Sequence, residues 1–234
     1  MSYEQMNNNK VCLTGAVVSE PVFSHETFGE GFYELKLSVA RLSEQVDIIP
    51  IVVSEKFLSD FKMGDVVSIK GQFRSFNKIT NERSKLILTV FVREVVEVDD
   101  TVNPNIIELT GFVCKEPVYR KTPFNREICD VLVAVNRAYN KSDYLPCIAW
   151  GRNARFIQDT PVGTKLDIVG RIQSRDYQKK LPNGEILTRT AYEVSISRVA
   201  PSTERIEEYA VQEMTEDNQE TQVIINNAEE AVNN

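Results

Sequence analysis

Apolar and polar residues alternate with a period of two in several short stretches of the chain, as they do in β-strands that bury one face. Five such stretches predict the strands of the first half: VCLTGAVVS, ELKLSVAR, DIIPIVV, VVSIKGQF and LILTVFVREV. Between the third and the fourth, Phe57, Leu58 and Phe61 have the spacing of a short amphipathic helix, which a glycine then ends. The pattern therefore predicts three strands, a helix and two strands.

The second half repeats this order of elements. Its strand candidates are IIELTGFVC, DVLVAVNR, YLPCIAW, KLDIVGRI and AYEVSISRV, and its helix candidate is NARFIQDTPVG. Identical residues recur 96 positions apart: Leu13-Thr14-Gly15 and Leu109-Thr110-Gly111, Glu20-Pro21-Val22 and Glu116-Pro117-Val118, Arg41 and Arg137, Pro50 and Pro146. At an offset of 99, Gly64 and Gly71 correspond to Gly163 and Gly170. Such self-similarity indicates one domain present twice.

Three strands, a helix and two strands in about 95 residues are typical of the five-stranded Greek-key barrel called the OB-fold, which often binds oligonucleotides. We therefore predict an all-β chain with two tandem OB-folds, each with a short helix. The predicted segments are a flexible N-terminus over residues 1–9, OB-fold 1 over 10–100, OB-fold 2 over 105–201 and an acidic, mostly disordered tail over 202–234. The join DDTVNP is short and turn-like, so little independent movement of the two copies is expected.

Charge is distributed unevenly along the chain, whose net charge is −7. Residues 1–104 contain 11 basic and 15 acidic side chains, residues 105–200 contain 15 and 10, and residues 201–234 contain 1 and 9. The three segments therefore carry net charges of −4, +5 and −8. A basic module beside an acidic appendage favours phosphate binding by the second copy, although an ordinary solvated surface would give the same counts.

Residues for metal or nucleophilic chemistry are scarce. The four cysteines form no C-x-x-C pair, and His25 is the single histidine, so the sequence offers neither a zinc ligand set nor a nucleophile paired with a histidine. A Walker loop is also lacking. We expect no cofactor, no metal and no enzymatic activity. The N-terminus, MSYEQMNNNK, lacks the regions of a signal peptide, and no apolar run approaches the roughly 18 residues of a membrane span, so a cytoplasmic protein without a membrane partner is expected.

Residues 136–151, NRAYNKSDYLPCIAWG, place three aromatic rings among polar residues. Alternation along the strand that ends this segment puts two sets of side chains on opposite faces. The cramped interior of a small barrel suits the smaller set: Leu145, Cys147, Ala149 and Gly151. The outward set would then be Tyr144, Pro146, Ile148 and Trp150. The alternative is that Tyr144 and Trp150 pack against the helix or against a partner subunit.

From residue 105 to residue 199, the second copy resembles the bacterial single-stranded DNA-binding proteins. The similarity is carried, in order, by LTG, EPVYR-x-T, VAVNR, YLPCIAWGRNA, GTKLDIVGRIQSRDY, the PNG turn and TAYEV. This resemblance implies sequence-independent binding and protection of single-stranded DNA in replication, recombination or repair, by a nucleoid-associated protein of the bacterial cytoplasm. Members of the family with two OB-folds per chain form dimers, so the resemblance also implies a homodimer.

The resemblance also implies which residues contact DNA. Tyr139, Tyr144 and Tyr177 lie where the family usually presents stacking tryptophans, and Trp150 lies where it has another aromatic residue on the same surface. A tyrosine keeps a flat π-face of smaller area, so weaker stacking by the same mechanism is expected. The candidates for phosphate contact are Arg120, Lys121, Arg137, Lys141, Arg171, Arg175, Lys179, Lys180 and Arg189. Arg152 and Arg155, near the helix, are expected to be solvated or salt-bridged.

The first copy and the tail depart from the family pattern. The counterparts of the four rings in the first copy are Ser43, Ile48, Ser54 and Lys78. We therefore predict a degenerate barrel that serves dimerisation, spacing or weak backbone contact. The acidic tail is the candidate contact for replication or repair proteins, although the chain ends in Asn233-Asn234 and lacks the acidic tip with a hydrophobic terminal residue that the family uses.

Two other functions are compatible with the sequence. One is an interaction scaffold of a replication or mobile-element complex that keeps the fold without binding DNA well. The other is an OB-fold protein that binds single-stranded RNA. Composition and motifs do not distinguish these functions from DNA binding, because each of them uses the same fold.

Overall fold

The computed structural model describes residues 7–41, 43, 45–80, 83–99, 103–180, 184 and 186–202. This part of the chain contains twelve β-strands, a 3₁₀ helix (Glu55–Asp60) and an α-helix, α1 (Arg152–Gln158). The strands of the first half are β1 (Asn9–Val17), β2 (Val22–Thr27), β3 (Glu30–Ala40), β4 (Val46–Ser54), β5 (Val66–Thr80) and β6 (Arg83–Val96). Those of the second half are β7 (Asn105–Val113), β8 (Val118–Lys121), β9 (Glu127–Arg137), β10 (Lys141–Trp150), β11 (Lys165–Lys180) and β12 (Ile186–Pro201).

Each half closes into a five-stranded barrel. In barrel 1 the hydrogen-bonded order is β1-β3-β4-β6-β5-β1, with β4 and β6 parallel and the other pairs antiparallel. Barrel 2 has the equivalent order β7-β9-β10-β12-β11-β7, with β10 and β12 parallel. This is the Greek-key topology of the OB-fold, so the predicted pair of tandem OB-folds is confirmed. The short strands β2 and β8, which form hairpins with β3 and β9, were not predicted from the pattern.

The predicted alternation fills the barrel interiors. In β10, Leu145, Cys147 and Ala149 are at most 3% exposed, as expected of inward positions. Ile148 belongs to the outward set but is only 6% exposed, because neighbouring strands flank it on both sides. Burial also raises the pKa of the Cys129 thiol to about 12, so this cysteine packs as a neutral apolar group. The predicted acidic tail lies outside the described residues from position 203 onward.

One glycine in each barrel, Gly71 of β5 and Gly170 of β11, lies at an irregularity of the strand pairing. A Cβ on Gly71 would overlap the carbonyl oxygen of Phe91, so a larger residue could not approach β6 this closely. The register between β5 and β6 shifts at this glycine, and β6 contains one extra residue, Arg93. Gly170 and Ser197 are the corresponding residues of barrel 2. Both barrels therefore have a bulge at the equivalent position.

The barrels are joined edge to edge in one twelve-stranded sheet. Strand β1 of barrel 1 pairs antiparallel with β7 of barrel 2, from Asn9 opposite Leu109 to Leu13 opposite Asn105. Main-chain hydrogen bonds of 2.8 Å extend this pairing at both of its ends. We call the pairing the seam. Because equivalent strands meet in opposite directions, the two repeats are related by an approximate two-fold axis.

A buried asparagine lies at each end of the seam. The side-chain amide of Asn9 donates to the carbonyl of Phe73 at 2.7 Å, and its oxygen accepts from the N–H of the same residue at 2.9 Å. Asn105 forms the equivalent two bonds with Ile172, at the same distances. Each amide therefore completes the hydrogen bonding of a buried backbone segment that the strand ladder does not reach.

A buried carboxylate of barrel 2 binds barrel 1 beside the seam. Asp143, whose side chain has 0% exposure, accepts the backbone N–H of Ser75 at 2.7 Å. The guanidinium groups of Arg74 and Arg137 both lie 3.3 Å from its oxygens. The Ser75 hydroxyl in turn accepts the N–H of Tyr144 at 2.7 Å. We call this cluster the Asp143 junction.

The approximate two-fold axis generates a second cluster of the same kind. Asp47 of barrel 1, also with 0% side-chain exposure, accepts the N–H of Ser174 at 2.7 Å. Arg41 and Arg171 pair with it at 2.6 Å and 3.3 Å. We call this cluster the Asp47 junction. The seam and the two junctions hold the barrels in fixed relative positions.

No helix in the described part of the chain is long and apolar enough to cross a membrane.

The Asp143 junction generates a stability prediction. Asp143→Ala should lower the free energy of unfolding by about 3–5 kcal/mol, because it leaves the partners of a buried carboxylate unpaired. Asp65→Ala, which removes an exposed carboxylate, should change it by less than about 0.5 kcal/mol. Urea unfolding monitored by circular dichroism measures both values. Equal stability of the two variants would show that the junction does not stabilise the fold.

Candidate nucleic-acid interface

Three of the predicted rings lie on β10 and β11 of barrel 2, two strands that are separated by β12. Tyr144 and Trp150 belong to the outward set of β10, which lies between β9 and β12. Tyr177 of β11 lies directly opposite Arg189 of β12, and both side chains are half-buried. Trp150 is 39% exposed. We call the surface formed by β9, β10, β12 and β11 the barrel 2 outer face.

Tyr139 lies at the tip of the turn between β9 and β10. Its φ is 64°, and the following Asn140 has a φ of 53°, so both residues adopt the left-handed conformation. This conformation is unfavourable for a tyrosine, and the ring is 79% exposed. Successive left-handed residues are typical of a tight β-hairpin turn, and this turn presents the exposed Tyr139 ring at its tip.

Shallow grooves adjoin two of the rings. One, of 520 Å³, is lined by Lys121, Asn125, Arg126, Glu127, Trp150 and Gly151. It runs between the hairpin that links β8 to β9 and the start of α1. A second, of 560 Å³, is lined by Asp176, Tyr177, Gln178 and Thr188. Both are open to solvent on one side, as a surface that follows an extended polymer requires.

The predicted cations of barrel 2 differ in their exposure and in their neighbours. Lys121 and Lys141 are exposed, and Lys141 starts β10 opposite Arg137. Arg175 lies close enough to Asp130 to lower its pKa. Lys179 and Lys180 end β11, but their side chains lie outside the part of the chain that is described. The sequence alone could not separate free cations from paired ones, because the partners come from distant strands.

Three predicted arginines form ion pairs. Arg120 pairs with Asp130 at 2.9 Å, whereas Arg137 and Arg171 belong to the Asp143 and Asp47 junctions. A guanidinium has five N–H donors, so a paired arginine still has donors for a phosphate. Arg155, which was expected to be solvated or salt-bridged, pairs with Glu127 at 3.0 Å.

Two carboxyl groups interrupt the positive charge of the barrel 2 outer face. Burial is the main cause that raises the pKa of Asp130 and of Glu193. The hydrogen bond from Arg120 opposes this effect for Asp130, and the one from Gln173 opposes it for Glu193. Among the described residues, Lys121 and Lys141 are exposed and form no ion pair within 4.0 Å, so they are the better candidates for phosphate contact.

The structure adds one exposed ring that the sequence reasoning did not select. Phe124 is 88% exposed at the tip of the hairpin between β8 and β9, next to the groove of Trp150. The neighbouring Asn125 has a φ of 58°. Phe124 lies between Pro123 and Asn125, two residues that are typical of a turn. An apolar ring between turn residues is a sequence signal that could have identified Phe124 as exposed.

The comparisons with known proteins agree with this geometry. Residues 104–202, which form barrel 2, match the model of the single-strand binding protein family. "Single-stranded DNA-binding protein 3" of Streptococcus agalactiae is 30% identical over 83 residues, covering 32% of this chain and 60% of that protein. "Single-stranded DNA-binding protein A" of Bacillus subtilis is 28% identical over 83 residues, covering 32% of this chain and 48% of that protein. The matches thus span about half of the length of these relatives.

Solved structures extend the likeness to both barrels. A crystal structure of a deletion mutant of the single-stranded DNA binding protein from Thermus aquaticus covers 86% of this chain and 97% of its own, with a TM-score of 0.63 and 18% identity. The N-terminal domain of the PriB protein from Thermoanaerobacter tencongensis, solved as a dimeric structure, covers 38% of this chain and 98% of its own, with a TM-score of 0.32 and 42% identity. The Thermus aquaticus protein therefore shares the two-barrel fold. The family match itself is confined to residues 104–202, which form barrel 2.

Proposed function

We propose that the chain binds single-stranded DNA without sequence preference and protects it during replication, recombination or repair. The observation that carries the proposal is the barrel 2 outer face, where Tyr144 and Trp150 lie on β10 and Tyr177 lies two strands away on β11, with cations on the same strands. Unpaired bases stack on aromatic rings whatever their identity, and the phosphate chain follows cationic grooves. The names of the relatives support DNA as the ligand.

In this mechanism the rings and the cations have separate tasks. Tyr139 and Trp150 offer exposed π-faces on which bases stack, and Lys121 beside the Trp150 groove neutralises phosphate. Arg137 and Arg171 are held by the junction carboxylates, so their remaining N–H groups have fixed directions. Such preorganisation reduces the entropy that binding would otherwise cost. The protein thus acts as a non-enzymatic binder, without a cofactor.

The cellular setting and the assembly belong to the same proposal. The family resemblance supports a bacterial cytoplasmic protein associated with the nucleoid, in which two chains form a homodimer with four barrels. The net charge of −8 over residues 201–234 supports the tail as a contact for replication or repair proteins.

Sedimentation equilibrium tests the assembly. We expect a mass of twice the 26.6 kDa of one chain at micromolar concentration. A mass of 26.6 kDa that is independent of concentration would contradict the homodimer and leave one chain as the binding unit.

A titration monitored by Trp150 fluorescence tests the function. Trp150 is the single tryptophan of the chain and is 39% exposed, so its emission should fall when a base of oligo-dT stacks nearby. We expect tight oligo-dT binding that weakens with salt, and weak binding of duplex DNA. Preference for oligo-rU would favour the RNA-binding alternative. Lack of any response in fluorescence or anisotropy with all three ligands would favour the interaction scaffold.

Two kinds of substitution separate stacking from phosphate contact. Tyr139→Asn removes the ring but keeps a residue that tolerates the left-handed backbone, and should cost about 1–3 kcal/mol of affinity with an unchanged salt dependence. Lys121→Gln should reduce the slope of log K against log salt by about 0.7 and leave base stacking in place. Anisotropy titrations over a salt series measure both effects. Equal slopes for Lys121→Gln and the parent would remove Lys121 from the phosphate path.

A further inference from the structure

Barrel 1 has no ring at the positions that barrel 2 uses, but it has rings on the same outer surface at other positions. In barrel 2, Trp150 of β10 lies opposite Ile128 of β9. In barrel 1 the corresponding pair is Ser54 of β4 opposite Phe32 of β3. The aromatic residue of barrel 1 therefore lies on the strand next to the one that carries it in barrel 2. In both barrels it lies over its partner, Ser54 or Ile128, which is at most 5% exposed.

Phe32 is the centre of a continuous group of rings. His25 of β2 stacks on it, with 5.0 Å between ring centroids and an interplanar angle of 12°. Phe91 of β6 lies on its other side at 5.4 Å. His25 is exposed, and the two phenylalanines are half-buried. We call these three residues the aromatic track. In barrel 2, Ser195 takes the place of Phe91, so the track is specific to barrel 1.

Arg93 extends the aromatic track toward barrel 2. Its guanidinium lies 4.8 Å from the centroid of the Phe91 ring, and it donates to the side-chain oxygen of Gln72 at 3.3 Å. Arg93 is the extra residue of the β6 bulge, and bulges redirect side chains out of the ladder. Within the described residues, no carboxylate oxygen lies within 4.0 Å of this guanidinium. The equivalent residue of barrel 2, Ser197, is uncharged.

Positive charge is in excess where Arg93 meets the Asp143 junction. Gln72 also accepts a hydrogen bond from Arg74, so it links Arg93 to a carboxylate, Asp143, that already pairs with Arg74 and Arg137. Partial burial and then the charge of Arg137 lower the pKa of Arg93, and partial burial with the same neighbour lowers that of Arg74. At the Asp47 junction, where two arginines share one carboxylate, the pKa of Arg41 is instead raised by its hydrogen bond to Asp47. A bound anion would therefore offset excess positive charge at the Asp143 junction and not at the Asp47 junction.

We propose that the Asp143 junction with Arg93 binds a phosphate, and that the aromatic track binds the adjoining bases, so that a single strand continues from barrel 2 onto barrel 1. The inference rests on the proposed function and identifies a second part of the same binding surface. Bases stack on Phe91 and Phe32, and the phosphate lies at Arg93. Glu34, on the same surface of β3, keeps the phosphate chain to the arginine side of the rings.

Oligonucleotide length separates the two parts of the surface. One OB-fold occupies about 4–16 nucleotides, so an oligo-dT of about 10 nucleotides fills barrel 2 and one of about 35 reaches barrel 1 as well. Arg93→Gln should weaken binding of the long oligonucleotide about fivefold and reduce its salt slope by about 0.7. Phe91→Ala should weaken it about tenfold without changing the slope. Neither variant should alter binding of the short oligonucleotide by more than about twofold.

The matched control is Lys62→Gln, which removes one exposed positive charge of barrel 1 from the turn between the 3₁₀ helix and β5. It should leave binding of both lengths unchanged. Parent-like affinity of Arg93→Gln and Phe91→Ala for the long oligonucleotide would overturn the inference and leave the proposed function standing. Failure of the parent protein to bind even the short oligonucleotide would overturn both.

Photocrosslinking of the unaltered full chain makes the test independent of how the variants fold. Iodouracil-substituted oligo-dT of about 35 nucleotides should crosslink to peptides of barrel 1 that contain Phe32 or Phe91, in addition to peptides of barrel 2. Crosslinks confined to barrel 2 would overturn the inference. Loss of the barrel 1 crosslinks when the oligonucleotide is shortened to about 10 nucleotides would support the order in which the two barrels are filled.

Discussion

Antiparallel pairing of β1 with β7 is the interaction on which the rest of the structure depends. Two strand edges that would otherwise be unpaired satisfy each other, and this fixes the relative position of the barrels. It also brings β10 next to β5 and β11 next to β4, so that each barrel can bury a carboxylate against the other. Without the seam, the other barrel would not cover Asp47 and Asp143. The arginines that pair with them would then be ordinary surface cations.

Much of the fold followed from the sequence because its determinants are local. The period of two identified the main strands, and the offset of 96 identified the repeat. The outward positions of Tyr144 and Trp150 followed from alternation along β10. These features depend on neighbours that are close in sequence, so a single chain is enough to reveal them.

The junctions could not be predicted, because they join residues that are far apart in the chain. Asp143 and Ser75, for example, are separated by 68 positions. Their sequence environments show only that one is acidic and the other small and polar. The same reason explains the aromatic track: Phe32 and Phe91 become neighbours only when β3, β4 and β6 align. Barrel 1 lacks rings at the positions equivalent to those of barrel 2, because its rings lie on other strands.

The joining of both barrels in one polypeptide has an evolutionary consequence. In a dimer of identical single-barrel chains, each substitution occurs on both sides of the two-fold axis at once. In this chain a substitution at position 93 changes one side of the two-fold axis only, and the equivalent residue on the other side, Ser197, is unaffected. Gene duplication followed by fusion thus releases the two halves from identical selection. A surface that crosses both halves of a symmetric scaffold can then have different residues at its two ends.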